Sequence, residues 1–217
     1  MNVKLISYSQ PPAGSELSDD LLQMVAYCAR VSNPGNQINE ATSEKLVKYL
    51  IKHQHWSPLE MVSACLEIDT TRDIGRQLLR HRSFSFQEFS QRYADPTKDM
   101  SFIRRGARLQ DPKNRQNSID AAPQVVQDLW DIKQLEVINK AREVYEWAIK
   151  EGIAKEQARS VLPEGNTMSR LYVNGTLRSW IHYIQLRAEN GTQQEHMDIA
   201  KTVGKVIYEI FPLDDII

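Results

Sequence analysis

Between Arg72 and Arg92 the chain places five arginines, one histidine and no lysine. The centre of that stretch reads Arg80-His81-Arg82-Ser83-Phe84-Ser85-Phe86-Gln87-Glu88-Phe89-Ser90-Gln91-Arg92-Tyr93. A guanidinium is planar, grips phosphate or carboxylate with two parallel N–H bonds and stacks on flat rings, whereas lysine is a mobile point charge. A charge run is ordinarily a solvated basic face. Such a face has little reason to alternate its arginines with phenylalanines and a tyrosine. The pattern points to a site for a phosphorylated ligand that carries a ring.

A second candidate breaks the pattern of its own helix. Leu177, Trp180 and Ile184 form an apolar stripe at spacings of three and four, and the next place on it is Arg187. An arginine on a core-facing stripe needs anionic or carbonyl partners, because an unpaired buried charge is severely destabilising. Either it pairs with a structural acid such as Glu195 or passes the helix end into solvent, or its partner is a ligand. Other chemistries are weaker. His53-Gln54-His55 lacks a nearby carboxylate or cysteine that would complete a metal site, so no metal is expected, and His55 beside Trp56 reads as a packing or ring-contact residue. Ser83, Ser85 and Ser90 near His81 lack a G-x-S-x-G elbow. Cys28 and Cys65 lie in apolar segments and read as structural thiols in a reducing cytoplasm. All nine glycines are isolated, so neither a dinucleotide fingerprint nor a P-loop is present. A bound nucleotide must then be held by side chains and helix ends.

The elements that position these residues follow from periodicity. Val3 to Tyr8 reads as a strand, and Ser18-Asp19-Asp20 as the cap and acidic first turn of a helix to Ala29. Ser43 to His53 is a helix with Leu46, Val47, Leu50 and Ile51 on one face. Ser57-Pro58-Leu59-Glu60 has the form of a capping box with proline at the first helical position. Val62, Ala64, Leu66 and Ile68 alternate with polar residues as a half-buried strand. Thr71 then caps a helix that puts Arg72, Arg76 and Arg80 on one face. Extended chain is expected from Phe84 to Arg92, and a long polar loop over 95–121. Pro123 to Lys150 reads as one amphipathic helix through Val125, Leu129, Ile132, Leu135, Ile138, Ala141, Tyr145 and Ala148, stopped by Gly152. A short helix around Arg159, a strand from Met168 to Val173, a helix from Thr176 to Ala188 and a capping box at Thr192 opening the last helix complete the chain.

With 217 residues the chain can bury a large core, and a single domain over 1–217 is expected. Its 27 basic and 28 acidic residues give a net charge of −1. Bulk nucleic-acid binding needs a domain-wide positive field, so a nucleic-acid module built on the arginines of 72–115 is the lesser reading. No apolar run reaches the length of a membrane span, and the first residues resemble a strand, not a signal peptide. No nucleic-acid or membrane partner is expected.

Arg80-His81-Arg82, followed by Ser83, Glu88 and Ser90-Gln91-Arg92-Tyr93, resembles the signature motif of the flavin-dependent thymidylate synthases. The resemblance extends through Cys28-Ala29-Arg30-Val31-Ser32, His55-Trp56-Ser57-Pro58-Leu59-Glu60, Ala158-Arg159-Ser160-Val161-Leu162-Pro163 and Leu186-Arg187-Ala188. It covers nearly the whole chain, is loosest over 95–130, and looks most like virus-encoded members, which would place the protein in a host cytoplasm. It implies an α+β domain with a small sheet flanked by long helices, and a homotetramer whose active sites are shared between chains. The implied reaction methylates dUMP to dTMP, with methylenetetrahydrofolate as carbon donor and NADPH as reductant through FAD.

Residue by residue, the resemblance implies FAD contacts from Ser57, Arg80, His81, Arg82 and Glu88. Thr176, Leu177, Arg178 and His182 would add a further edge from another subunit, with His55 near the flavin ring. It implies dUMP contacts from Gln77, Leu78, Leu79, Arg80, Glu88, Phe89, Ser90, Gln91, Arg92 and Arg159. Arg187 would be the catalytic residue, lying against the uracil ring. Thr176 and His182 stand where many members carry asparagine, and Gly191 where some carry a flavin-contacting histidine. Within the loop, Arg104, Arg105, Arg108, Lys113 and Arg115 are candidates for the folate glutamate tail or the NADPH phosphate.

Overall fold

The computed structural model describes residues 1–17 and 19–213. Ser18, expected as a helix cap, lies outside the described residues. Four strands form one antiparallel sheet: β1 (Asn2–Tyr8), β2 (Ser63–Thr71), β3 (Ser85–Glu88) and β6 (Met168–Thr176), in the order β1-β2-β6-β3. A separate two-stranded ribbon, β4 (Leu109–Gln110) and β5 (Ser118–Ile119), gives the 95–121 loop some structure of its own. The central pair is in register from Ser63 opposite Thr176 to Thr71 opposite Met168.

The period-two pattern of β2 determines which face is covered. Ala64, Leu66 and Ile68 are buried, and so are Leu171 and Val173 opposite them. They face α1 (Leu21–Ala29), α7 (Leu177–Arg187) and α8 (Gln194–Ile210) in one core that includes Val25, Trp180, Ile181, Val203 and Ile207. α2 (Ser43–Lys52) joins it through Val47. The other sheet face keeps polar residues: Arg170 pairs with Asp69 at 2.7 Å, and the Tyr172 hydroxyl donates to Glu67 at 2.8 Å. This is an α+β architecture with helices on one side of a small sheet.

β2 runs directly into α3 (Arg72–Leu78), and β6 runs directly into α7, with no intervening loop. Asp20 caps α1 by accepting from the Leu22 N–H at 2.7 Å, and Thr176 caps α7 by accepting from Ser179 N–H. Gly175 has a specific reason: a Cβ there would lie 2.3 Å from the Phe84 ring. Its absence lets Phe84 pack against Trp180, with ring centroids 4.4 Å apart.

Several expectations are corrected. α3 ends at Leu78, so Arg72 and Arg76 share a face while Arg80 lies in the following turn, where His81 N–H bonds to Leu78 O. Neither expected capping box forms. Ser57–Glu60 is a single 3-10 turn without a side-chain cap, and α8 begins at Gln194 without one. α5 (Gln124–Lys150) has the expected length, but its apolar stripe is covered only towards the C-terminal end. Ile138, Ala141, Tyr145 and Ala148 are buried, whereas Val125, Leu129, Ile132 and Leu135 are exposed. Two short helices, α4 (Pro96–Asp99) and α6 (Lys155–Ala158), flank the segments on either side of α5. No described helix is long and apolar enough to cross a membrane.

Candidate active site

The five arginines of the motif stretch separate into two groups. Arg72, buried at the start of α3, donates to Glu88 at 3.2 Å and to Glu164 at 3.0 Å. Arg76, one turn on, reaches the same two carboxylates at 3.4 and 3.5 Å. Ser169 adds a bond to Glu88 at 3.0 Å. Glu88 therefore anchors α3 to β3 and β6. Arg92 lies near Glu156 at 3.4 Å on the exposed side.

Arg80 and Arg82 differ: both are exposed, and no ion pair or hydrogen bond of their side chains is found among the described residues. Between them, the half-buried His81 accepts a 3.0 Å bond from Arg187 Nε through its Nε2. Only a bare ring nitrogen can accept, so His81 is neutral in this contact. Burial, Arg187 and Arg80 all push its pKa down. Arg187 stands half-buried with no carboxylate partner among the described residues. The expected alternative, pairing with Glu195, does not occur because Glu195 is bound by Arg108 at 2.6 Å.

α7 carries the site along its length. At its N-terminus Arg178 pairs with Glu60, and His182 meets the Trp56 ring edge-on at 4.3 Å, next to the exposed Ser57. Burial and Arg178 keep His182 below its ordinary pKa. Nine residues later, roughly 13 Å along the axis, comes Arg187. His55 is exposed near Tyr49 and His53, after Gln54 takes a left-handed φ of 58°.

Not every expected residue presents its side chain. Leu78 and Leu177 are buried in the core, and the Leu177 N–H bonds to Val62 O at 3.0 Å. Leu79 packs against the core from a half-buried position. Gln87, Glu88, Phe89 and Ser90 line a cavity of about 370 Å³ with Arg170 and Tyr172, beside the open sheet face. Gln91 is buried, and its Nε2 has no partner among the described residues. Among the described residues, no hydrogen bond or ion pair joins Arg159 to Arg80 or Arg187. Of the residues expected to contact dUMP, Gln77 bonds to Gln193 and Arg187 to His81, while Glu88, Phe89 and Ser90 line the cavity.

The loop arginines are taken up internally. Arg104 pairs with Asp131 at 2.8 Å, Arg105 with Asp73 at 2.7 Å, and Arg108 with Glu195. Burial alone would raise the Asp73 carboxyl, but bonds from Arg105 and Thr71 hold it low. Arg115 faces a polar groove of about 420 Å³ with Gln110, Asn190 and Gln194. The sequence reading missed Gln193, His196 and Tyr183, which pack around His81 and Gln77. The positions of Gln193 and Glu195 were hidden by the expected capping box, which would have assigned Glu195 to the backbone.

The family model described as thymidylate synthase complementing protein matches residues 16–213. A probable flavin-dependent thymidylate synthase of Paramecium bursaria Chlorella virus 1 is 47% identical over 98% of this chain and 96% of its own. A flavin-dependent thymidylate synthase of Synechocystis is 46% identical, with the same coverages. The chain belongs to the flavin-dependent thymidylate synthase family. Its fold matches that of a UMP/dUMP methylase from Streptomyces cacaoi, solved with 5-Br dUMP, with a TM-score of 0.81. That match covers 97% of this chain and 91% of the other, at 24% identity.

The donor set fits a flavin of this family. Arg80 and Arg82, unpaired among the described residues, are cations suited to phosphate. Trp56 and His182 offer flat edges near the start of α7, and neutral His81 holds Arg187 at its other end.

Proposed function

We propose that this flavin-dependent thymidylate synthase methylates dUMP to dTMP with FAD as its flavin, methylenetetrahydrofolate as carbon donor and NADPH as reductant. The observation that carries the reading is Arg187: half-buried and, among the described residues, without a carboxylate and bonded through its side chain to a neutral imidazole alone. A charge kept in that condition is stable when a ligand supplies the missing acceptor. A uracil carbonyl does so, and the guanidinium stabilises the electron density that builds on the ring during methyl transfer, the kind of fixed electrostatic assistance on which enzymes rely most.

Arg80 and Arg82 bind phosphate oxygens, with each charge-assisted bond worth roughly 1.5–3 kcal/mol. Glu88, tied to Arg72 and Arg76, acts by fixing the strand that presents Phe89, Ser90 and Arg92. The flavin supplies hydride transfer; the protein orients both rings and excludes water.

The uncovered stripe Val125, Leu129, Ile132 and Leu135 of α5, a face that another copy would cover, supports a homotetramer with shared active sites. Internal pairing of Arg104, Arg105 and Arg108 argues against a role for them in binding the folate tail or the NADPH phosphate.

The test is an absorbance spectrum of the purified protein with and without dUMP, followed by assay for dTMP with both cosubstrates. A yellow protein whose flavin bands shift with dUMP and which forms dTMP is expected. A protein that neither holds flavin nor responds to dUMP would overturn the reading. Sedimentation at micromolar concentration should give four chains per particle.

A further inference from the structure

Glu195, Gln193, Gln77 and His196 form one continuous line of hydrogen bonds next to Arg187. Arg108 Nη2 donates to Glu195 Oε1 at 2.6 Å, and Gln193 Nε2 donates to Glu195 Oε2 at 3.0 Å. Gln77 Nε2 donates to Gln193 Oε1 at 2.7 Å. Gln77 Oε1 then lies 3.1 Å from His196 Nδ1.

The direction of this line is set at one end. Amide groups can be turned over and a histidine has two tautomers, so each middle contact alone is ambiguous. A carboxylate only accepts. Burial would raise the Glu195 carboxyl, but Arg108, a backbone N–H and Gln193 outweigh it and keep the group ionised. Gln193 must therefore turn its NH₂ to Glu195 and its carbonyl to Gln77. Gln77 must turn its NH₂ to Gln193 and its carbonyl to His196. His196 is left no choice but to donate from Nδ1.

The far end agrees. His196 is fully buried, and its Nε2 has no partner among the described residues, as a bare lone pair allows and a buried cation would not. It packs against Tyr183 and His81, with centroids 5.7 and 6.3 Å away. Burial, Arg187 and His81 hold its pKa down at about 4.

We propose that Glu195 and His196 are positioning residues for nucleotide binding, which fix from two sides the direction of the Gln77 amide so that its second N–H is always presented to the ligand. The proposal rests on the reading that Gln77 contacts dUMP. It assigns Arg108, from the 95–121 loop, the task of holding the anchoring carboxylate in place.

The test combines nitrogen-15 NMR of the histidine rings with dUMP affinity, measured by calorimetry on flavin-loaded protein. In the unmodified protein His196 should show a protonated Nδ1 and a bare Nε2 from pH 8 down to about 5. The opposite tautomer would overturn the proposal without any variant. His196→Leu should weaken dUMP binding about five- to ten-fold. His196→Asn, whose side-chain amide can donate from nearly the same place as Nδ1, should return the affinity to within about three-fold. Glu195→Gln, which keeps the shape but removes the fixed direction, should weaken binding like His196→Leu and mix the His196 tautomers.

Gln77→Ala separates the two layers. If it weakens dUMP binding while His196→Leu and Glu195→Gln do not, the positioning role fails and the contact stands. If Gln77→Ala itself leaves the affinity unchanged, the contact fails and the positioning role with it.

Discussion

Arg72 and Arg80 lie on one short run of sequence and meet opposite fates. Arg72 is buried between two carboxylates, which serve Arg76 as well. Arg80 stands in the turn after the helix with no acidic partner among the described residues, beside the His81–Arg187 contact. The first arrangement is satisfied within the chain; the second leaves Arg80 open to water or to a ligand. The kind of residue does not distinguish them. The carboxylates that the fold brings from Glu88 and Glu164 do.

The comparison breaks most visibly at Arg187. Arg187→Ala removes no ion pair found among the described residues, so its unfolding midpoint should stay near that of the parent and flavin should remain bound. Thymidylate formation should fall by about 10²–10³-fold, the usual cost of losing one donor aimed at developing charge. Near-normal turnover in a steady-state assay would remove its catalytic role.

Arg72→Ala should do the reverse. It strips Glu88 and Glu164 of a buried partner and should cost about 3 kcal/mol in urea denaturation. A loss below about 1 kcal/mol would mean that Arg76 and Ser169 suffice to hold Glu88.

Acid should separate the two regions again. The folded-state pKa of His196 is about 4, below the ordinary value of 6.5. The unfolded chain therefore binds more protons between those values, so this contribution is present above pH 6.5 and is lost as pH falls toward 4. It amounts to about 3 kcal/mol at most. His81 and His182 are shifted in the same direction. Asp73 and Glu195 are held low, so the arginine–carboxylate pairs persist through the same window. Stability measured against pH should decline from 6.5 downwards, and less steeply in His196→Asn. A flat profile down to pH 4.5 would contradict the buried neutral histidine.

The smallest structural effect belongs to Arg80→Ala. Its unfolding free energy should change by less than about 0.5 kcal/mol, because an exposed side chain without a partner stabilises little. Both flavin and dUMP affinity should drop by about ten-fold. If only one of them dropped, the shared contact would be wrong.

Much of the fold was legible from periodicity. The alternation over Val62–Ile68 identified the covered face of the central strand, and Thr176 was visible as a helix start. Pairing was less accessible, since nothing local in Ser85–Glu88 says that it lies against Met168–Thr176. Periodicity also reports an apolar stripe without reporting what covers it, so the two halves of α5 looked alike in sequence and differ in the structure. In the site, the motif indicated Arg80, His81 and Arg82, and the broken stripe indicated Arg187. The partners stayed hidden because they come from far along the chain: Asp73 for Arg105, Glu195 for Arg108, His81 for Arg187.

The two central strands pass into α3 and α7 without a spare residue. One residue inserted after Thr71 or Thr176 would turn the following helix by about 100°, swinging Gln77 or Arg187 away from its neighbours while leaving the composition of the site untouched. Length at these two seams is therefore under as strict a constraint as chemistry, and natural variation in chain length should accumulate in the 95–121 segment, never at the joints.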